Sequence, residues 1–494
     1  MGKITPQILV TFISIDKKQA KTIHNQLYEQ LKEGIYEGIL RPGDRMPSSR
    51  EMSLELKISR NTVLQVFEQL GMEGFFDSKT GSGTFVSSNV DKFSYSKRHS
   101  THPIQKPEHT IPKSYGLNNA FKGQNSALEP IVPFQQSVPL VSEFPFPVWA
   151  RISASVHKKM HRLHLGYDDA QGYLPLRKAL SDHLRISRSI NCDPENILIV
   201  NGTRQALHLA AEMLLNKGDQ CWMEDPGYRG ATSAIQRFGG ELCPVPIIND
   251  GIDLEYAKHH YPNAKLAYVT PSHQFPMGYT MALNERIKLL NWARDNQMWI
   301  IEDDYDSEFR YNSRPIPALQ GMDTSGNVIY IGNISKVLLP ALRLGYMVFP
   351  SKIIARQFTI AKSVIDGQSN IINQAIICEF ITQGHFSRHI RRMRLLYKKN
   401  QDDLVSLINQ HLKNRLTPVA VEAGMHLIAC LPLSLNAEII AKEALKEGLI
   451  LCPLSHYSIK FNYPNGLILG FSGFSFAKME AAILKLKQIL DKHL

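Results

Sequence analysis

A chain of 494 residues is longer than one ordinary hydrophobic core accommodates, so two or three domains are expected. An apolar fraction of 43% and a charged fraction of 20% describe a soluble globular protein, and no apolar run is long enough to span a bilayer. The net charge of +11 favours an anionic partner such as nucleic acid; six scattered cysteines without CxxC pairs and no basic-then-apolar leader lead us to expect reduced thiols in a cytoplasmic protein with no membrane partner.

The first periodic segment has Ile23, Leu27, Leu31 and Ile35 at helical spacing, predicting a helix over 23–39 that Arg41-Pro42-Gly43 stops. Pro47-Ser48-Ser49-Arg50-Glu51 reads as the capped start of a short helix reaching about Leu56. After a turn at Lys57-Ile58 another helix begins at Ser59. Its Val63, Val66, Phe67 and Leu70 fall on one face, and Ser59, Arg60, Asn61, Thr62 and Gln65 on the rest. Short helix, tight turn and a helix with a polar first turn is helix-turn-helix geometry, whose second helix enters the major groove. Phe75-Phe76-Asp77 and Thr84-Phe85-Val86 flank Thr80-Gly81-Ser82-Gly83 and read as a β-hairpin with a glycine-rich tip. A helical bundle with a polar surface is the competing reading.

This segment resembles the winged helix-turn-helix of the GntR superfamily through 38–50 (Gly-Ile-Leu-Arg-Pro-Gly-Asp-Arg-Met-Pro-Ser-Ser-Arg) and Ser59-Arg60-Asn61-Thr62-Val63. The resemblance implies DNA contacts from Arg45, Arg50 and Arg60, from the small polar Ser59, Asn61 and Thr62, and from the wing glycines Gly81 and Gly83. Leu64 stands where some relatives carry a basic residue. We place this domain at 18–88 and a proline-punctuated linker, poor in large aliphatic residues, at 89–132.

From 133 to 494 apolar strands alternate with helical patterns, which predicts a mainly parallel sheet with helices on both faces, over about 160–370, and a smaller α+β lobe over about 380–494. Ile329-Tyr330-Ile331-Gly332-Asn333-Ile334-Ser335-Lys336 puts a lysine just past a strand, with Arg343 downstream. Such an amine can reach a carbonyl while the serine and arginine hold a phosphate. Ile300-Ile301-Glu302-Asp303-Asp304-Tyr305 is an apolar strand ending in acids, where a carboxylate can keep a pyridinium nitrogen protonated. Asn201-Gly202-Thr203-Arg204 sits between strand and helix, where free N–H groups and the helix dipole suit a phosphate. Tyr228, in the turn Asp225-Pro226-Gly227-Tyr228, either stacks on a planar ring or lies on the surface. The turn 270–278 (Thr-Pro-Ser-His-Gln-Phe-Pro-Met-Gly) offers polar donors and a Phe275-Pro276 bond suited to cis geometry. Gly166-Tyr167-Asp168-Asp169-Ala170-Gln171-Gly172 leads into a helix at Leu176-Arg177.

Together these segments resemble the pyridoxal-phosphate-dependent fold-type I aminotransferases, and their union with the winged helix resembles the MocR-type regulators of the GntR superfamily. The resemblance implies pyridoxal 5′-phosphate as cofactor, in a Schiff base with Lys336. Asp303 would pair with the ring nitrogen, Tyr305 with the phenolic oxygen, and Tyr228 would stack. Gly202, Thr203, Arg204, Ser335 and Arg343 would surround the phosphate, and Tyr167 would be lent by the second protomer of a homodimer. Phe275 occupies the place of the aminotransferases' asparagine, so His273 or Gln274 is expected to take over that hydrogen bond. At Leu467-Ile468-Leu469-Gly470 the arginine that clamps a substrate carboxylate is missing, so efficient transamination of amino acids is not expected.

His157, His161 and His164 share a helical face, but no carboxylate or cysteine completes a metal site, and none is expected. The basic run Arg388, Arg391, Arg392, Arg394, Lys398, Lys399 reads as a solvated helix face. The expected function is a transcriptional regulator that binds duplex operator DNA and responds to pyridoxal phosphate itself, as in control of vitamin B6 metabolism, or to an amine. The alternatives are an active aminotransferase with an appended DNA-binding domain, and a cofactor-free repressor that uses the second domain to dimerise.

Overall fold

The computed structural model describes residues 12–79, 81–90, 132–162, 166, 169–248, 251–311, 316–419 and 421–493. The chain divides into two compact units, 1–124 and 125–494. The expected linker, apart from its ends, and Tyr167 lie outside the described residues.

In the first unit, helices α1 (Ile23–Tyr36), α2 (Ser49–Glu55) and α3 (Arg60–Met72) precede a hairpin of β1 (Phe76–Lys79) and β2 (Gly83–Val86). The predicted apolar stripes meet in one core of Leu27, Leu31, Ile35, Met52, Val63, Val66, Leu70, Phe76 and Val86. Helix α1 ends sooner than its periodicity suggests because Gly38 adopts left-handed backbone (φ 74°) and turns the chain. Helix α2 starts on a full capping box: Glu51 N–H donates to Ser48 Oγ, and Ser48 N–H to Glu51 Oε2 at 2.8 Å. Ser59 Oγ caps α3 by accepting from Asn61 N–H. The hairpin runs in register from Phe76 opposite Val86 to Lys79 opposite Gly83, and Arg45 bridges to Phe85. These are the helix-turn-helix and wing that the sequence led us to expect.

The second unit is built on an eight-stranded sheet. Its strands are β3 (Ile197–Val200), β4 (Gln220–Asp225), β5 (Glu241–Ile248), β6 (Gly251–Ile252), β7 (Leu266–Val269), β8 (Trp299–Asp304), β9 (Val328–Asn333) and β10 (Gly345–Val348). They lie in the order β3-β10-β9-β8-β7-β4-β5-β6. Strands β5, β4, β7, β8 and β9 are parallel, while β10 runs against both β9 and β3. Consecutive residues feed opposite faces: Ile301 and Tyr268 join one core, Ile300 and Ala267 another. Burial on both faces explains why these strands read as unbroken apolar runs.

The lobe is a four-stranded antiparallel sheet of β11 (Thr417–Val419), β12 (His426–Cys430), β13 (Cys452–Pro453) and β14 (Gly466–Gly470), ordered β11-β12-β14-β13. The start of the described second unit also belongs to it. Gly470 N–H donates to Phe134 O at 2.9 Å and Ile450 N–H to Pro133 O at 3.1 Å. The lobe therefore takes both ends of the unit, not only the carboxyl-terminal end that the sequence suggested.

Replacing Ser48 with Ala removes the acceptor for Glu51 N–H and should cost about 1 kcal/mol. The expected readout is faster hydrogen exchange in the first turn of α2, with exchange in the second unit unchanged.

Candidate functional site

Parallel strands carry their carboxyl ends to one rim of the sheet, and that rim is where the predicted residues arrive. Lys336 lies in the single helical turn Ile334–Val337 that follows β9. Its N–H donates to Asn333 Oδ1 at 3.1 Å, and Asn333 Nδ2 donates to Thr203 Oγ1 at 3.1 Å, which ties the lysine turn to the start of the helix Thr203–Leu214. The half-buried Lys336 holds its ammonium nitrogen 4.0 Å from the centroid of the Tyr305 ring. Burial lowers the lysine's pKa, against the pull of Asp306 and Asp303, and so favours the neutral nucleophilic amine.

Asp303, Asp304 and Glu302 end the same strand but do different things. Glu302 accepts the N–H groups of Leu319 and Gln320, both at 2.9 Å. Asp304 pairs with Arg188 at 2.8 Å and accepts from Tyr330 Oη at 2.8 Å. Both therefore belong to the scaffold. Asp303 is 4% exposed; its Oδ2 accepts from Tyr268 Oη at 2.8 Å, and its buried Oδ1 has no partner among the described residues. Burial raises its pKa to about 7, against Tyr268 and Lys336, which lower it. A buried carboxylate oxygen without a donor suits a ligand's ring N–H, so Asp303 fits the expected cofactor.

Residues expected around a phosphate converge as well. Gly202 precedes the helix Thr203–Leu214, and a Cβ placed on it would lie 3.7 Å from Arg343 Nη1. Tyr228 is hydrogen-bonded to Arg204, and burial raises its phenol pKa while that guanidinium lowers it. A helix start with two guanidinium groups nearby suits an anion. Ser335 contributes differently from its expected role: its hydroxyl donates to Leu344 O at 3.0 Å and accepts Leu344 N–H at 2.5 Å, locking the lysine turn onto the strand that follows.

The turn after β7 separates two expectations. Gln274 faces away from the site. Its amide nitrogen donates to Glu224 Oε2 (3.1 Å), Pro226 O (2.9 Å) and Phe275 O (2.7 Å), and its Oε1 accepts Met277 N–H (3.0 Å). Glu224, pushed up to about 7 by burial, anchors the same turn through Thr270. His273 does reach the site region: its Nδ1 lies 2.9 Å from Tyr305 Oη and 3.0 Å from Asp306 Oδ1. Phe275 meets the rings of Tyr228, Tyr305, His426 and Tyr457 edge-on at 6.0, 5.8, 5.5 and 4.9 Å. The Phe275–Pro276 peptide is cis, and so is Asp225–Pro226, which the sequence did not flag. Ile468 packs with Ile428 and Leu454 against Met277 and Tyr457, so the position of the missing arginine is an apolar wall.

Sequence reasoning missed Tyr268, Asp306 and His426. A phenol inside the buried strand Leu266-Ala267-Tyr268-Val269 must find a partner, and that was a usable signal for Tyr268. Asp306 and His426 meet His273 only through the fold.

In the first unit Arg45, Arg50, Arg60 and Asn61 are exposed, Thr62 is half-buried, and Gly81 and Gly83 are exposed at the wing. Arg60 Nε donates to Ser49 Oγ at 3.2 Å, which lays its side chain across from α3 to α2. Leu64 is exposed on α3.

Without added ligand, Asp303 holds its proton in the fold up to about 7 rather than 3.8, so the stability it contributes is full below pH 3.8 and is lost as pH rises through about 7. Asp303→Asn should therefore flatten the fall in melting temperature between about pH 5 and about pH 8. Thermal melts of both proteins across that range check it.

Two family models match the chain. The one for bacterial regulatory proteins of the gntR family covers 23–86, and the one for aminotransferases class I and II covers 131–483. The chain is 36% identical over 473 residues to the probable rhizopine catabolism regulatory protein MocR of Rhizobium meliloti, covering 96% of this chain and 94% of that one. It is 28% identical over 459 residues to the pyridoxine biosynthesis transcriptional regulator PdxR of Corynebacterium glutamicum, covering 93% and 94%. Among solved structures, the kynurenine aminotransferase of Pyrococcus horikoshii superposes with a TM-score of 0.68 at 26% identity, over 74% of this chain and 92% of that one. The chain belongs to the MocR-type GntR regulators: it is a helix-turn-helix transcriptional regulator whose second unit is a member of the aminotransferase class I and II family.

Proposed function

We propose that the second unit binds pyridoxal 5′-phosphate at Lys336 and that the state of this site controls how a dimer of the chain binds operator DNA. The observation that carries the reading is Asp303, buried with Oδ1 unmatched among the described residues while its other oxygen is held by Tyr268. When bound, the cofactor supplies an electrophilic aldehyde and an electron-withdrawing ring. Lys336, with its pKa lowered, offers the amine; Asp303 holds the ring nitrogen's proton; Tyr305 faces the phenolic oxygen; Tyr228 lies against the ring. Gly202, Thr203, Arg204 and Arg343 hold the phosphate, and Ser335 fixes the turn that aims the lysine.

A dimer is supported by the helix Lys352–Asp366, which exposes Ile353 (68%), Ile360 (58%) and Val364 (83%). In that dimer Tyr167 would enter the partner's site. Because an apolar wall stands at Ile468, the vitamer itself or an amine without a carboxylate is the signal, and the likeness to a pyridoxine biosynthesis regulator supports the vitamer. In the first unit α3 reads the major groove through Arg60 and Asn61, Arg50 and Arg45 meet the backbone, and the wing reaches the adjacent groove.

A second reading, an active aminotransferase, is favoured by coverage of 92% of a solved aminotransferase. It requires amino acids to bleach the cofactor band with release of keto acid.

Lys336→Ala should abolish the borohydride-reducible pyridoxal phosphate adduct and leave basal operator binding in place. A covalent adduct that persists in this variant sinks the assignment. Arg60→Ala should weaken operator binding by about 1–3 kcal/mol, read as a footprint lost at one base step. Gel shifts of the chain's own upstream DNA, with and without pyridoxal phosphate, test the regulatory claim directly.

A further inference from the structure

Tyr305, His273 and Asp306 form a buried chain, and the roles above leave its His273–Asp306 part unexplained. All three side chains are buried, and His273 Nδ1 sits between Tyr305 Oη at 2.9 Å and the Asp306 oxygens at 3.0 and 3.2 Å. An ionised carboxylate can only accept, so Asp306 requires a hydrogen on Nδ1. That hydrogen lies within reach of Tyr305 Oη too, so the phenol oxygen accepts and its own hydrogen must point elsewhere. The opposite nitrogen, Nε2, is buried without a partner among the described residues, which suits a lone pair better than an orphaned N–H. The ring packs closely on two glycines: a Cβ on Gly424 would fall 2.2 Å from its Cε1 and one on Gly278 would fall 3.3 Å from Nε2.

We propose that Asp306 and His273 are positioning residues that fix the Nδ1–H tautomer and thereby keep the Tyr305 hydroxyl a donor directed at the Lys336 cleft. This rests on the reading that pyridoxal phosphate binds there. The other groups facing the chain fit this arrangement. The Lys336 amine is 4.0 Å from the Tyr305 ring centroid, and the His426 ring lies 5.6 Å from that of His273. His426 uses its own Nε2 toward Pro276 O at 3.2 Å and stays neutral, so it supplies no competing charge. A phenol that donates to the cofactor's ring oxygen stabilises that oxygen's anion and lowers the pH at which the lysine-bound chromophore loses its proton. Asp306 sets this pH without touching the cofactor.

The test uses the full-length protein in two arms. In the first, pyridoxal phosphate is loaded onto wild type, Tyr305→Phe, His273→Phe and Asp306→Leu, and the visible band is titrated against pH. Tyr305→Phe should raise the midpoint by about one pH unit, and Asp306→Leu and His273→Phe should raise it in the same direction although the phenol remains. A wild-type midpoint in Asp306→Leu alongside a shifted Tyr305→Phe overturns the proposal, and so does an unshifted Tyr305→Phe. The second arm needs no cofactor, and its readout is on the wild type. Ring-¹⁵N-histidine spectra of the wild type, assigned with His273→Gln, should show His273 as the Nδ1–H tautomer, and an Nε2–H tautomer overturns the proposal. A wild type that forms no Lys336-dependent colour sinks the cofactor reading instead, and the tautomer arm separates the two failures.

Discussion

A carboxylate held away from water with one oxygen unmatched is the constraint around which the second unit is arranged. Leaving a buried polar group without a partner costs about 1–3 kcal/mol, and more when it is charged. Here the cost falls on Asp303, and the surrounding structure holds it in place. Strand β8 delivers the residue at a register fixed on both sides by parallel neighbours, Tyr268 pins one oxygen from β7, and the adjacent acids are paired with Arg188 or hydrogen-bonded by backbone N–H groups. Only one of three consecutive acids is left available. The scaffold acids make that selectivity possible, because an unpaired Asp304 beside Asp303 would raise its pKa further.

The parts of this site that could be read in the sequence are those whose chemistry is local. A lysine after an apolar strand, a glycine before a helix and an arginine beyond a short turn each announce themselves by residue type and spacing, and the fold brings Lys336, Gly202, Arg204 and Arg343 to one rim. The parts that could not be read depend on which way a side chain turns. Ser335 and Gln274 looked like free donors in the sequence; the fold commits the first to Leu344 and the second to Glu224 and two carbonyls. No spacing rule reveals that Asp306 reaches back across 33 residues to His273. The DNA-binding unit was more legible because its core repeats at helical spacing and its caps are short-range motifs. Only the length of α1 was overread, where Gly38 stops it.

On the proposed reading, the apolar wall at Ile468 sets what the cleft accepts. With Ile468 packed among Ile428, Leu454, Met277 and Tyr457, the far end of the cleft is apolar at that position, and His426, held down to about 3 by burial and by His273, adds no charge. Such a cleft discriminates by what it leaves unpaired: a carboxylate entering it would be desolvated without compensation. On the proposed reading, selectivity against amino acids needs no dedicated barrier.

The place where the described second unit begins ties its two ends together. Residues Pro133 and Phe134 hydrogen-bond along the lobe at Ile450 and Gly470, not along the main sheet. The described start of the second unit is thus fastened to the smaller sheet, so the lobe closes on residues more than three hundred positions apart in the chain.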